Sequence, residues 1–156
     1  MTDGDRIRNL LGRYCDLMDA GDWLGIGALF ARGRLVTDDG TELAAGAAAV
    51  AEFYARGTRL HDGSPRTKHI VANTVLGEPG DDGSVVARSS YLVLQAVEGR
   101  PLQPIITGRY VDRFGRVDMA GEAPADGFDE AGWHFVERAF AVDLVGDLGD
   151  HLRFAL

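Results

Sequence analysis

A chain of 156 residues, 46% of them apolar, suits one domain (1–156) with a sizeable core, and its formal net charge is -8. That acidity offers no basic stripe to neutralise phosphates, so nucleic acid and anionic membrane surfaces are not expected partners. The single cysteine, Cys15, allows no internal disulfide or cysteine-cluster metal site, and no apolar run nears the ~20 residues that cross a bilayer.

The start, Met1 to Asp5, is polar and acidic, unlike a secretory signal, so a soluble cytoplasmic protein is expected. Ile7, Leu10, Leu11, Tyr14, Leu17 and Met18 recur at three- and four-residue spacing, which predicts a helix over 3–19 with Asp3 as N-cap. Asp19 lies on the stripe of Leu11 and Cys15 beside the apolar face. It either points into a cavity or is a solvated helix end before Ala20-Gly21; spacing leaves both open. Gly21 fits a helix stop and Asp22 the cap of a short second helix, Trp23 to Phe30. Leu35 to Thr41 reads as a strand and hairpin turn, and about Gly46 to Arg56 as a third helix.

The stretch Thr67 to Leu76 alternates as a strand and is rich in β-branched residues. A period of two puts Thr67, His69, Val71, Asn73 and Val75 on one face. An imidazole and a carboxamide among apolar neighbours mark His69 as the centre of a small-molecule site. The next strand, Val85 to Val97, aligns Tyr91 and Gln95 on one face. In Leu102 to Phe114, Ile105, Thr107, Arg109 and Val111 alternate with Ile106, Gly108, Tyr110 and Asp112. Residues 115–131 read as an extended hairpin loop. In Trp133 to Leu144, Arg138 shares a face with His134, Val136, Phe140 and Val142. The tail from Gly146 forms a helical turn or covers a cavity mouth. His134 reads as structural, and His61 and His151 as solvated. Four histidines so spaced form no recognisable metal site, and no Gly-rich loop follows a strand, so no metal or nucleotide cofactor is expected.

Early helices followed by long antiparallel strands make an α+β fold. A strongly curved sheet with the helices on its concave side would leave a pocket between them. Three stretches carry a family likeness: Arg13 to Trp23, Thr67 to Asn73, and Gly108 to Phe114 with Trp133 to Arg138. Together they resemble the nuclear-transport-factor-like, or SnoaL-like, α+β cone family, in the branch of the scytalone dehydratases, a dehydrochlorinase and the polyketide cyclases. The resemblance implies an Asp–His catalytic dyad at Asp19 and His69, an arginine in the pocket at Arg138, and assembly as a dimer or trimer. It departs where the dehydratase has a second histidine (Gln95 here), a tyrosine (Met18), and a serine and an asparagine (Ile105 and Thr107).

Taken together these imply a cofactor-independent lyase or isomerase acting on a small apolar carbonyl compound, polyketide- or steroid-like. His69 is the base and Asp19 its orienter. Tyr14, Asn73, Tyr91, Gln95, Thr107 and Arg138 are the expected substrate-binding residues. Cyclases and epoxide hydrolases also use this cone, and a non-catalytic ligand-binding protein is the rival of another class.

Overall fold

The structure, a computed structural model, describes residues 1–119 and 127–154. Helix α1 (Asp3–Ala20) buries Ile7, Leu10, Leu11, Tyr14, Cys15 and Met18 along one side. Its N-cap is Thr2 and not Asp3. Thr2 Oγ1 accepts from the Asp5 N–H while the Asp5 carboxylate accepts from the Thr2 N–H, a reciprocal capping box. Asp3 accepts from the Trp133 indole N–H instead. At the other end Gly21 takes the left-handed conformation (φ 70°) that closes the helix. Asp22 then caps α2 (Trp23–Leu29) by accepting from Gly25 N–H at 2.8 Å.

Strands β1 (Arg34–Thr37) and β2 (Glu42–Ala45) form a short hairpin that leads into α3 (Gly46–Gly57). Four long strands follow: β3 (Thr67–Leu76), β4 (Val85–Val97), β5 (Arg100–Arg116) and β6 (Trp133–Val145). They make one open, curved sheet in the order β2-β1-β6-β5-β4-β3. Every neighbouring pair is antiparallel except β1 with β6, which is parallel. The helices pack their apolar stripes against the concave face, and both contribute to one core. This is the α+β cone that the element order predicts. Among the described residues no helix is long and apolar enough to cross a membrane.

Regular alternation holds along β4, where Val85, Ala87, Ser89, Tyr91, Val93 and Gln95 are all buried. It fails where bulges bend the sheet. In β3 the register slips between Ala72 and Val75, and Asn73 takes a positive φ of 53°. Asparagine tolerates that conformation better than most residues. The slip turns Thr74 and Leu76 inward and leaves Asn73 exposed, so Asn73 does not share the face of His69. In β6 a slip at Val136, opposite Arg113 and Phe114, buries both Phe135 and Arg138, three positions apart. Strict alternation would have placed them on opposite faces.

Strand β5 is longer than predicted and turns Gly108, Tyr110, Asp112 and Phe114 to the core. Thr107 falls on the other face. Gly108 lies across from Tyr91, and a Cβ there would overlap the Tyr91 hydroxyl and the Ala141 carbonyl. Without one, the Tyr91 ring lies over the glycine and its hydroxyl donates to Ala141 O at 3.2 Å. Of the predicted 115–131 loop, residues 115 and 116 belong to β5 and 120–126 lie outside the described residues. Its last part is tied by Asp129, which accepts from the N–H groups of Ala131 and Trp133.

Candidate active site

Asp19 comes from the last turn of α1 and His69 from the inward face of β3, fifty positions later in the chain. The His69 Nδ1–H donates to Asp19 Oδ1 at 2.6 Å; an ionised carboxylate only accepts, which fixes the proton on Nδ1. Two more donors converge on the same carboxylate. The His69 backbone N–H reaches Oδ1 at 3.1 Å and Oδ2 at 3.0 Å, and the Thr67 hydroxyl reaches Oδ1 at 2.9 Å. Lys68 Nζ stands 3.8 Å from Oδ2. Burial lifts the Asp19 pKa, but the bonds from the His69 ring, its backbone and Thr67 outweigh burial and hold it below its ordinary 3.8. Asp19 is therefore not a frayed helix end.

The His69 ring lines a cavity of about 310 Å³ on the concave side of the sheet, between α1, α3 and the C-terminal tail. Its wall is mostly apolar: Met18, Leu43, Phe53, Val93, Ile106, Phe140 and Val142 face it. The polar exceptions are tyrosine hydroxyls, two threonines and two histidines. A larger depression of about 730 Å³ lies around Asp3, Asp82, Arg116 and Trp133, but its carboxylates Asp3 and Asp82 are taken by ion pairs with Arg116 and Arg113.

Of the other predicted site residues, Tyr14 and Tyr91 line the cavity. Tyr14 shares a 2.9 Å hydroxyl–hydroxyl hydrogen bond with Tyr54 of α3. Burial raises the pKa of both, and that of Tyr91 to about 12, so all three stay protonated. Asn73 and Thr107 do not reach the wall, for the register reasons given above. Gln95 is buried, but its amide donates to Pro65 O (3.0 Å) and Asp150 O (3.1 Å), stapling a loop and the tail.

Arg138 is not in the cavity either. It is fully buried behind the tyrosines and makes a two-pronged pair with Asp112 of the next strand, at 2.7 and 2.8 Å. Its guanidinium carbon sits 4.0 Å from the Tyr14 ring centre and 3.8 Å from that of Tyr110. Burial works against its charge, and Asp112 restores it. Arg138 thus props the aromatic wall from behind.

The predicted solvation of His61 and His151 is corrected too. His61 Nε2 is bonded to Asp150 O at 2.7 Å. His151 is 7% exposed, lines the cavity, and lies with its ring centre 6.5 Å from that of His69. The signal available in the sequence was Leu148, His151 and Leu152 at helical spacing; the tail makes that single turn, with Leu148 O accepting from both later N–H groups. Tyr54 lines the cavity too, and its place in the predicted third helix carries no signal of that.

Burial pushes the His151 pKa down to about 4, with nearby His69 and His61 acting the same way and Asp19 opposing. Its ordinary value is 6.5, so between those two values the unfolded chain binds a proton that the folded chain refuses. This contribution is whole above pH 6.5 and is lost as the pH falls toward 4, by ~3 kcal/mol. Urea midpoints should drop steeply over that range, and less so in His151→Gln.

Among the described residues no three His, Cys, Asp or Glu side chains are grouped to hold a metal ion. Comparison with curated protein sequences gives no match. Solved structures are similar in fold. A Novosphingobium aromaticivorans protein, NTF2-like with a cystatin-like fold, is 24% identical, with 90% of this chain and 81% of that one covered at a TM-score of 0.64. The protein Rv3472 of Mycobacterium tuberculosis, of unknown function, is 23% identical over 90% of this chain and 72% of its own, at a TM-score of 0.66. A second Novosphingobium aromaticivorans protein, described as a candidate scytalone dehydratase, is 18% identical over 93% and 87% at 0.65. The model of the SnoaL-like domain matches residues 1–139, nearly nine-tenths of the chain, and the protein belongs to that family.

Proposed function

We propose that this protein is a cofactor-independent lyase or isomerase that takes a proton from carbon beside a carbonyl group. One observation carries the reading: an Asp–imidazole pair at 2.6 Å whose ring forms part of the wall of a mostly apolar cavity. With its Nδ1 proton held by Asp19, His69 is left with Nε2 as the basic nitrogen. Asp19, kept ionised by its three donors, stabilises the imidazolium that forms. The C–H electrons pass into a carbon–carbon double bond and the carbonyl oxygen becomes an oxyanion. When the oxyanion collapses, a hydroxyl on the next carbon departs and takes the proton back from His69 as water. In a substrate that carries a double bond between the next two carbons instead of a leaving group, the enolate extends over it, the proton returns at the far carbon, and the double bond has moved beside the carbonyl.

The cavity volume is at the small end of the ~300–1,000 Å³ typical of ligand pockets. It favours compounds of one or two rings. The Tyr14–Tyr54 pair keeps one hydroxyl hydrogen to give and would anchor a polar substituent of the substrate. The test is deuterium uptake at the α-carbon of β-tetralone in heavy water, followed by NMR. Wild-type protein should exchange it well above the buffer rate, and His69→Ala should return to the buffer rate. Equal rates for the two would refute the role of His69.

Self-association as a dimer or trimer goes with this reading. It is supported by apolar side chains left exposed on the outer face of the sheet, Ile70 and Val111 among them. Light scattering should return a multiple of 16.8 kDa; a monomer at micromolar concentration would remove this part.

A further inference from the structure

His69 has a second histidine against it, and the reaction proposed above gives that residue no part. It reaches the cavity from the C-terminal tail, in contrast to the dehydratase's strand position, which holds Gln95 here. The tail is held from several directions. Asp150 O accepts from Gln95 and is bonded to His61, Arg100 Nε pairs with the Asp150 carboxylate at 3.1 Å, and Arg59 N–H donates to His151 O at 2.8 Å. Further on, Arg153 N–H donates to Gly57 O at 3.0 Å. These anchors fix the position of one imidazole.

That imidazole is over nine-tenths buried and its Nδ1 has no hydrogen-bond partner among the described residues. No hydrogen bond joins it to His69. A residue placed there only to fill space would be better as leucine, since an unpaired buried nitrogen costs ~1–3 kcal/mol. Nδ1 is closed off from the cavity as well as unpaired, so Nε2 is the nitrogen left to meet a molecule that enters, and the ring's place on the wall makes sense if such a molecule accepts from it.

We propose that His151 is the group that binds the substrate's carbonyl oxygen, donating a hydrogen bond to the oxyanion that forms as His69 takes the α-proton. This rests on the reading of His69 as base. The oxygen is two bonds from the carbon that loses the proton, so its donor must stand beside the base, and His151 is the ring next to it. Burial keeps His151 neutral, which suits a hydrogen-bond donor and not a proton source. It transfers no proton: the one removed from carbon stays on His69 until it leaves with the hydroxyl or returns to carbon. With the Tyr14–Tyr54 hydroxyls available elsewhere on the wall, the substrate class narrows to an apolar ketone bearing a second oxygen, a β-hydroxyketone being the form that can lose water.

Two variants and two readouts test this. His151→Phe keeps an aromatic ring in the space and removes the donor; His151→Gln keeps a donor. In the β-tetralone exchange assay His151→Phe should lose about 100-fold or more in kcat with little change in KM, and His151→Gln should recover part of it. A kcat for His151→Phe within about threefold of wild type would overturn the proposal. If wild-type protein exchanges no deuterium, the reading of His69 has failed, and the second readout decides alone. In protein labelled with ¹⁵N-histidine, the His151 ring-nitrogen signals should move when β-tetralone is added; signals that stay in place would overturn the proposal.

Discussion

Asp112→Leu or Arg138→Met, made singly, should destabilise the folded protein by ~3–5 kcal/mol. Both side chains are wholly buried and face each other across β5 and β6. Removing either leaves the other as an uncompensated charge in a medium that solvates it poorly. Arg138→Met also takes the cation from the Tyr14 and Tyr110 rings, so the cavity wall should loosen with the fold. The double variant Asp112→Leu with Arg138→Met should lose much less than the two single losses added, because the desolvation cost of both charges goes with them. Urea unfolding of the four proteins measures this. Additive losses would mean that the pair is not coupled, contrary to its two-pronged geometry.

Asp19→Asn should reduce turnover by roughly 10²–10⁴-fold while leaving the cavity intact. Asparagine is close in shape, but it offers an amide N–H where the carboxylate accepted. One of its two terminal atoms can accept from Thr67 or the His69 backbone; the other repels the Nδ1–H. The ring is then free to place its proton on Nε2, where it blocks attack on carbon, and the imidazolium loses its counter-charge. His69→Ala removes the base outright and should cost at least as much. The double variant should be no worse than His69→Ala alone, since Asp19 acts through His69. Additive losses in the exchange assay would mean that Asp19 has a separate role.

The fold class and the elements that carry Asp19 and His69 could be read from local patterns; that the two side chains meet was implied only by the family resemblance, since spacing left Asp19 open between a cavity and solvent. A helical stripe ending in Asp19 and a strand with His69 on its apolar face need only periodicities of 3.6 and two. What could not be read depends on long-range register. Asn73 left the site because it sits in the bulge between Ala72 and Val75 that resets the face of β3, and nothing in Thr67 to Leu76 announces that bulge beyond the asparagine itself. Arg138 was on the right strand, but nothing near it in sequence names its partner; Asp112 on the same face as Tyr110 was the available hint. His151 was misread because its burial comes from the tail pairing with residues 58 to 61, about ninety positions earlier. Gln95 was assigned to a ligand by its face, whereas its amide is consumed by two backbone carbonyls that no local pattern predicts.

The parallel seam between β1 and β6 orders events on the ribosome. Arg34 meets Glu137 at a separation of 103 residues, so the early hairpin has α3 beside it but no further strand to pair with until β6 has emerged. The β3–β4–β5 meander can zip by successive turns, but the edge that closes the sheet must wait for its last strand. A nascent chain halted before β6 would leave β1 and β5 each with an open edge, so the sheet becomes one continuous surface only once Trp133–Val145 is available to join them.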